Sequence, residues 1–471
     1  MRNRISLARI CDLQIEGLKN VRNGELKFYP TPAITQNKES ALEGHVFGIY
    51  GPNGSGKTSV VDALWILKVL LSGGKPDSES YHKLSSRLKK YINASMHSLS
   101  VSIVLYFQVD EEQYLANYSI DIGMNGDDPV IQAEKLRVKE KIGNEWDKYR
   151  PVFDYSRPEN HISIPSIKRS FLPKLRALAQ LSSNMAPLTS LLTGPVLEQE
   201  FDEDITDEEI KGSKLFFWIQ ILRTFAQHYL IVVEAYELNS FSENLMSLIL
   251  SVEEEDMYMI GKVPILSLDK SLSSVPSELF ETFVRTFEQM NIILQRLVPG
   301  TRLEMQNIRE VKQKNNLSVH EFECVSVRGD ERFSVSCESE GIKRLIAVID
   351  TLIAFTKNSR VCLVIDEFDA GIYEFLFGIL VETLDETGKG QLIFTAHNLR
   401  GVEKLPYKQI FFSTTNPDNR FERQTAMENN NKRSLYFRNI VLGKDKGEEL
   451  ADLPTSNALK MAFRKANRIH G

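Results

Sequence analysis

Apolar and polar positions along this chain fall into three patterns. Uninterrupted apolar runs occur at Val46-Phe47-Gly48-Ile49-Tyr50, Val361-Cys362-Leu363-Val364-Ile365 and Gln391-Leu392-Ile393-Phe394-Thr395-Ala396. They predict strands covered on both faces, as in a parallel sheet. Alternating runs predict half-buried hairpins. Ile10–Ile15 pairs with Glu25–Phe28 across Gly17-Leu18-Lys19-Asn20. Ser100–Val109 pairs with Tyr114–Ile122 around Asp110-Glu111-Glu112, and Glu321–Val327 pairs with Arg332–Val335 around Gly329-Asp330. The third pattern is helical spacing. It covers Ser59–Leu71, a polar helix near Tyr81–Ile92, the stripe Trp218, Ile221, Leu222, Phe225 and Tyr229, and a second stripe Phe280, Phe283, Val284, Phe287, Ile292 and Leu294. It returns at Ile342, Leu345, Ile346, Ile349, Leu352 and Ile353.

These elements group into two strand-rich lobes around a different middle. Pro158, Pro165, Pro173 and Pro187 punctuate a Ser- and Leu-rich stretch, followed by an acidic run from Glu198 to Glu209 and a second acidic cluster, Glu253-Glu254-Glu255-Asp256. The expected organisation is α/β: lobe 1–165 with a mixed sheet and antiparallel subsheet, a helical insertion over 166–300 for dimer or partner contacts, and lobe 301–471. Neither a long heptad array nor an internal repeat is visible, which argues against a long coiled-coil arm.

At 471 residues, 42% hydrophobic and 25% charged, the chain can bury a large core. A formal charge of −6 speaks against a generally basic, nucleic-acid-coating surface. Cys11, Cys324, Cys337 and Cys362 form no C-x-x-C pair, so a reduced cytoplasmic chain is expected. Leu215–Val233 carries Arg223 and His228, which favours a buried helix over a membrane span.

Chemistry concentrates where the apolar runs end. Gly51-Pro52-Asn53-Gly54-Ser55-Gly56-Lys57-Thr58 fits the phosphate-loop pattern between a strand and a helix. The loop's N–H groups would form a phosphate nest at the helix N-terminus. Lys57 would bridge the β- and γ-phosphates of ATP, and the Thr58 hydroxyl would take Mg²⁺. The second apolar strand ends in Asp366-Glu367: one carboxylate for Mg²⁺, the next to activate a water. A helix N-cap pair is the plain alternative. The third ends at His397, where a neutral imidazole would hydrogen-bond a γ-phosphate. Ser339 and Gly341 open the 342–353 helix, a place for an anion or an ordinary serine cap.

Together, the phosphate loop, Ser-x-Gly helix start, Asp-Glu strand and strand-end histidine resemble the ABC-type ATPase head. Glu338-Ser339-Glu340-Gly341-Ile342, the wider Glu-Ser-x-Gly-x-x-Arg-Leu form and Ile365-Asp366-Glu367-Phe368-Asp369-Ala370-Gly371-Ile372 look like the soluble, SMC-like ATPases of bacterial anti-phage defence. PARIS-type and Septu-type ATPases belong to that group. The resemblance implies that Ser339 and Gly341 close over ATP held by a neighbouring copy, and that Asp369 communicates between the two sites. It also implies a glutamine near the metal, for which Gln108 is the best match. The nucleotide base would rest near Lys19, Arg22 or Tyr50. The implied protein is a homodimer or higher homo-oligomer, without membrane, joined through the ATP sites and insertion. It would answer a phage-encoded trigger by controlling a separate effector, a TOPRIM-type nuclease. The alternative is a DNA-binding repair or recombination ATPase of the SMC-like group; direct nucleic-acid contact is left open. The segment Lys432–Gly471, with nine Lys/Arg against four Asp/Glu, is a candidate partner contact or a solvated tail.

Overall fold

In a computed structural model, residues 5–37, 42, 44–73, 78–167, 172–173, 176–177, 188, 213–235, 245–254, 257–267, 272–312, 318–424 and 460–462 are described. The acidic run 198–209, residues 255–256 and, apart from 460–462, the basic segment 432–471 lie outside them.

The apolar runs become one sheet. Strands β3 (Val46–Tyr50), β10 (Leu230–Val233), β17 (Cys362–Ile365), β18 (Gln391–Ala396), β19 (Ile410–Ser413) and β20 (Phe421–Arg423) lie in the order β10-β17-β18-β3-β19-β20. All neighbours are parallel except β19 and β20. Every residue of β3, β10, β17, β18 and β19 is buried, as uninterrupted apolar runs require.

The alternating runs make a second, antiparallel sheet of eight strands. Its members are β1 (Ile5–Leu18), β2 (Val21–Lys27), β4 (Ser98–Val109), β5 (Glu112–Asn125), β6 (Asp128–Ile142), β7 (Glu145–Trp146), β8 (Arg150–Ser156) and β9 (His161–Ser163). Between the sheets runs α2 (Lys57–Leu71), buried at thirteen of its positions, and the amphipathic α3 (Glu79–Tyr91) packs on α2 and β6; a short α1 (Thr31–Thr35) precedes them. The later helices are α4 (Lys214–Thr224), α5 (Phe280–Leu297), α6 (Glu340–Lys357), α7 (Glu374–Thr387) and α8 (Arg400–Lys404).

The mixed α/β architecture is as expected, but the described part of 166–300 is not simply helical. The helical elements with described bounds there are α4, a π-turn at Phe225–Tyr229 and α5, with a 3-10 turn at Ser277–Leu279 before it. The π-turn ends α4, and Leu230-Ile231-Val232-Val233 becomes the edge strand of the parallel sheet beside β17. This run follows the helical stripe without a polar break, and apolar periodicity does not separate a buried strand from a buried helix. A hairpin follows, β11 (Leu245–Glu254) with β12 (Met257–Ser267). Then β13 (Ser273–Pro276) joins β14 (Thr301–Lys312), β15 (Ser318–Arg328) and β16 (Glu331–Ser334) in a sheet of the C-terminal lobe. On α5, Phe283, Phe287, Met290 and Leu294 face the core, whereas Ile292, assigned to that stripe, is 68% exposed.

Candidate functional site

Parallel strands place their C-terminal ends along one edge of a sheet, where loops can reach a common ligand. Along this edge stand Gly51 after β3, Asp366 after β17 and His397 after β18. A cleft of about 270 Å³ opens there, lined by Asn53 to Ser59, Glu367, His397, Lys19 and Asn20. The sequence-assigned phosphate loop, carboxylate and histidine therefore converge.

Gly56 is the N-cap of α2 at φ 89°, a left-handed conformation that costs glycine little. Lys57 is buried and donates to the carbonyls of Gly51 at 2.8 Å and Pro52 at 2.9 Å. Burial pulls its ammonium down to about 8, against the opposing pull of Asp366, Asp369 and Glu367. The Thr58 hydroxyl lies 3.4 Å from Asp366 Oδ1. A hydroxyl and a carboxylate oxygen so placed, beside a phosphate nest, fit Mg²⁺, which uses few protein ligands and keeps water and phosphate for the rest. Burial raises the Asp366 carboxyl, with Glu367 adding to the rise and the hydroxyls of Thr395 and Thr58 opposing it.

Thr395 was visible in the sequence only as a strand residue. Its hydroxyl donates to Asp366 Oδ1 at 2.5 Å and accepts from the Glu367 N–H at 2.8 Å. Glu367 has φ 49°, an uncommon conformation for a residue with a side chain. From the other side, Arg344 of α6 donates to the carbonyls of Glu367 at 3.4 Å and Ala370 at 3.3 Å. Phe368 packs edge-on to Phe377 and Phe394 beneath the same loop. These contacts hold the carboxylate pair at the cleft.

Asp369 Oδ2 accepts from the backbone N–H of His397 at 2.9 Å and of Asn398 at 2.6 Å. The loop after β17 is thereby tied to the end of β18. Partial desolvation at the cleft wall, then the nearby Lys57 ammonium, push His397 below its ordinary range, so the imidazole is neutral at pH 7.

Ser339 and Gly341 stand apart from this cleft. Ser339 caps α6, its hydroxyl accepting from the Ile342 N–H at 3.4 Å. A Cβ at Gly341 would sit 2.0 Å from the Gly371 carbonyl oxygen, so the glycine lets α6 and the Asp369–Gly371 loop touch. Gln108 is not brought to the site. It pairs with Leu7, near the far end of β1 from the cleft-lining Lys19, on the order of 40 Å of strand away. Tyr50 is fully buried and offers no face to a nucleotide base; Arg22 is half exposed, 3.7 Å from Asp418.

Three further residues escaped the sequence reading. Asn20 donates to the Gly54 carbonyl, Arg420 donates to the carbonyls of Asn20 and Thr414, and the Ser413 and Ser55 hydroxyls are hydrogen-bonded. The only local signal was the Gly17–Asn20 turn itself. Ser413 lies 358 residues from Ser55, and Arg420 lies 400 residues from Asn20.

A family model described as AAA domain matches residues 12–253, just over half of the chain. The chain belongs to this AAA domain family. Its matched part contains the phosphate loop and the antiparallel sheet from Asp12 of β1 onward, while Asp366, Glu367 and His397 lie beyond it. Three solved structures are similar in overall shape. The Smc head bound to the C-winged helix domain of ScpA has a TM-score of 0.44 at 13% identity, covering 91% of this chain and 99% of that one. The Smc head with an extended coiled coil bound to the C-terminal domain of ScpA, derived from Pyrococcus furiosus, gives 0.42 at 14%, covering 88% and 96%. The SMC head domain from Thermotoga maritima gives 0.38 at 14%, covering 89% and 100%. At these scores the likeness bears on neither activity nor partners. No curated protein matches the chain. Among the described residues, no helix of this AAA domain protein is long and apolar enough to cross a membrane.

Proposed function

We propose that this chain binds ATP with Mg²⁺, hydrolyses it, and works as the regulatory ATPase of an anti-phage defence assembly. The observation that carries the ATPase reading is the meeting of Thr58 and Asp366 oxygens at the phosphate loop, with Glu367 in the same cleft. Lys57 and the loop N–H groups would bind the phosphates. Mg²⁺, held by Thr58 and Asp366, would neutralise phosphate charge. Glu367 would take the proton of the attacking water, and His397 would hydrogen-bond the γ-phosphate.

The regulatory half of the reading rests on sequence resemblance to the ATPase subunits of defence systems, that of the PARIS system (AriA) above all. Ser339 and Gly341 lie outside their own chain's cleft, which supports their completing a neighbour's site. Next to Gly371, Tyr373 and Phe375 are 75% and 59% exposed, the kind of apolar surface a second copy would cover. The effector is a separate protein, a nuclease by that resemblance.

Lys57→Ala should abolish detectable nucleotide binding. Glu367→Gln should keep it and lower turnover by about 10²–10⁴-fold. Mixing Lys57→Ala with Ser339→Arg protein should restore partial turnover. Gly341 is a poor probe for this, because any side chain there meets the Gly371 carbonyl. Wild-type turnover in Glu367→Gln would remove Glu367 from the role of base; no recovery despite subunit exchange would remove the shared site.

A further inference from the structure

Beside the phosphate loop lies a charged network that the proposed hydrolysis does not use. Lys19 lines the cleft, yet its ammonium is turned to Asp62 and lies 4.0 Å from the ring centre of Tyr91. The Lys19 backbone is fixed. Its N–H donates to the Tyr91 carbonyl at 2.6 Å, and its own carbonyl accepts from Asn93 Nδ2 at 2.6 Å. Only the side chain is free to re-aim, and it is 33% exposed while that of Asp62 is 4% exposed.

Asp62 sits on α2 one turn beyond Thr58. Burial raises its carboxyl, and Lys19 is the main influence holding it down; Glu234 and Asp366 push it further up. Glu234 is buried at the end of β10, and β10 runs in register with β17, so Glu234 stands beside Asp366 at the sheet edge. Both terminal guanidinium nitrogens of Arg87 donate to Glu234, one of them at 3.1 Å, and Lys83 is 3.6 Å away. Arg87 lies 4.2 Å from the ring centre of Trp65 and also feels the charge of Asp62. Two buried carboxylates thus share three cations, and one of those cations borders the cleft.

We propose that Lys19 is a phosphate-responsive switch. On arrival of a nucleoside triphosphate its ammonium exchanges Asp62 for phosphate oxygens, and Arg87 moves from Glu234 toward the abandoned Asp62. The exchange loosens α3 from β10, and so carries occupancy of the cleft to the edge strand and the segment that follows it. This rests on the nucleotide-binding reading above. The driving force is physical: a phosphate with several charges outcompetes one carboxylate for an ammonium, and a buried carboxylate that loses its cation draws the nearest substitute.

The test measures binding of a fluorescent ATP analogue with Mg²⁺ to wild type, Lys19→Met, Asp62→Asn, the double variant and Lys57→Ala. Asp62→Asn frees Lys19 and should tighten binding by about three- to tenfold; Lys19→Met should weaken it by about tenfold. The double variant should match Lys19→Met, because Asp62 acts only through Lys19. Unchanged or weaker binding in Asp62→Asn, with Lys57→Ala still abolishing it, overturns the switch and leaves the ATP site standing. No binding by wild type overturns both. If Asp62→Asn does not fold, hydrogen exchange over residues 79–91 and 230–234 decides. A non-hydrolysable ATP analogue should raise exchange there in wild type and not in Lys19→Met; equal responses overturn the proposal.

Discussion

The two large sheets of this protein both contribute to the buried core and do different work. In the parallel sheet, the strands β10, β17, β18, β3 and β19 all end along one edge, and that edge carries Gly51, Glu234, Asp366 and His397. In the antiparallel sheet strand ends alternate, and only the β1–β2 turn, with Lys19 and Asn20, reaches the cleft. Its strands instead supply core: Phe107, Tyr118 and Phe153 are fully or almost fully buried. Topology thus divides the molecule into a sheet that presents chemistry and a sheet that supports it.

Breaking the support should leave the chemistry. Phe107 packs 5.4 Å from Phe225 and 6.3 Å from Trp218, centre to centre. Phe107→Ala should cost about 3–5 kcal/mol of stability in denaturant titration. Nucleotide affinity, measured well below the melting range, should stay within about twofold of wild type. A parallel loss of affinity would show that the sheets are not separable.

The reverse experiment is Thr395→Val, at a buried position of the chemical sheet. It removes the hydroxyl that serves both Asp366 and the Glu367 N–H. Stability should fall by about 1–3 kcal/mol. Turnover should fall by about 10–100-fold, as when a group that orients a metal ligand is lost, with binding largely kept. Full turnover in a destabilised variant would reduce Thr395 to a core residue.

The smallest effect is the pH dependence of binding. Burial brings Lys57 to about 8, below its ordinary value. Phosphate favours the charged ammonium, so binding should take up a proton above that pH and none from Lys57 below it. Affinity should weaken by up to about tenfold per pH unit above 8 and be flat through 6–7 as far as Lys57 is concerned. Calorimetry in two buffers of different ionisation enthalpy measures the uptake. Lys57→Ala removes the detectable binding itself, so the assignment to Lys57 rests on the midpoint of uptake, and a midpoint near 10.5 would overturn it.

Much of this site was legible before any folding was considered, because its pieces are local. A phosphate loop is a strand, a turn and a helix within thirty residues, and Asp366, Glu367 and His397 each follow an apolar run that predicts its own strand. The hairpins 10–28 and 100–122 were legible for the same reason. What only the tertiary structure decided depends on which strands lie side by side. Leu230–Val233 carries no mark in the sequence that assigns it to the edge beside β17. Gln108 ends a strand as expected, but the register of β1 with β4 sends it to the end remote from the cleft. The double hydrogen bond of Thr395, the grip of Arg344 on the Glu367 loop and the pairing of Lys19 with Asp62 join residues twenty-three to forty-three positions apart. No period in the sequence encodes such pairings, because they follow from sheet order, strand register and helix packing, which are settled only when the whole core is buried at once.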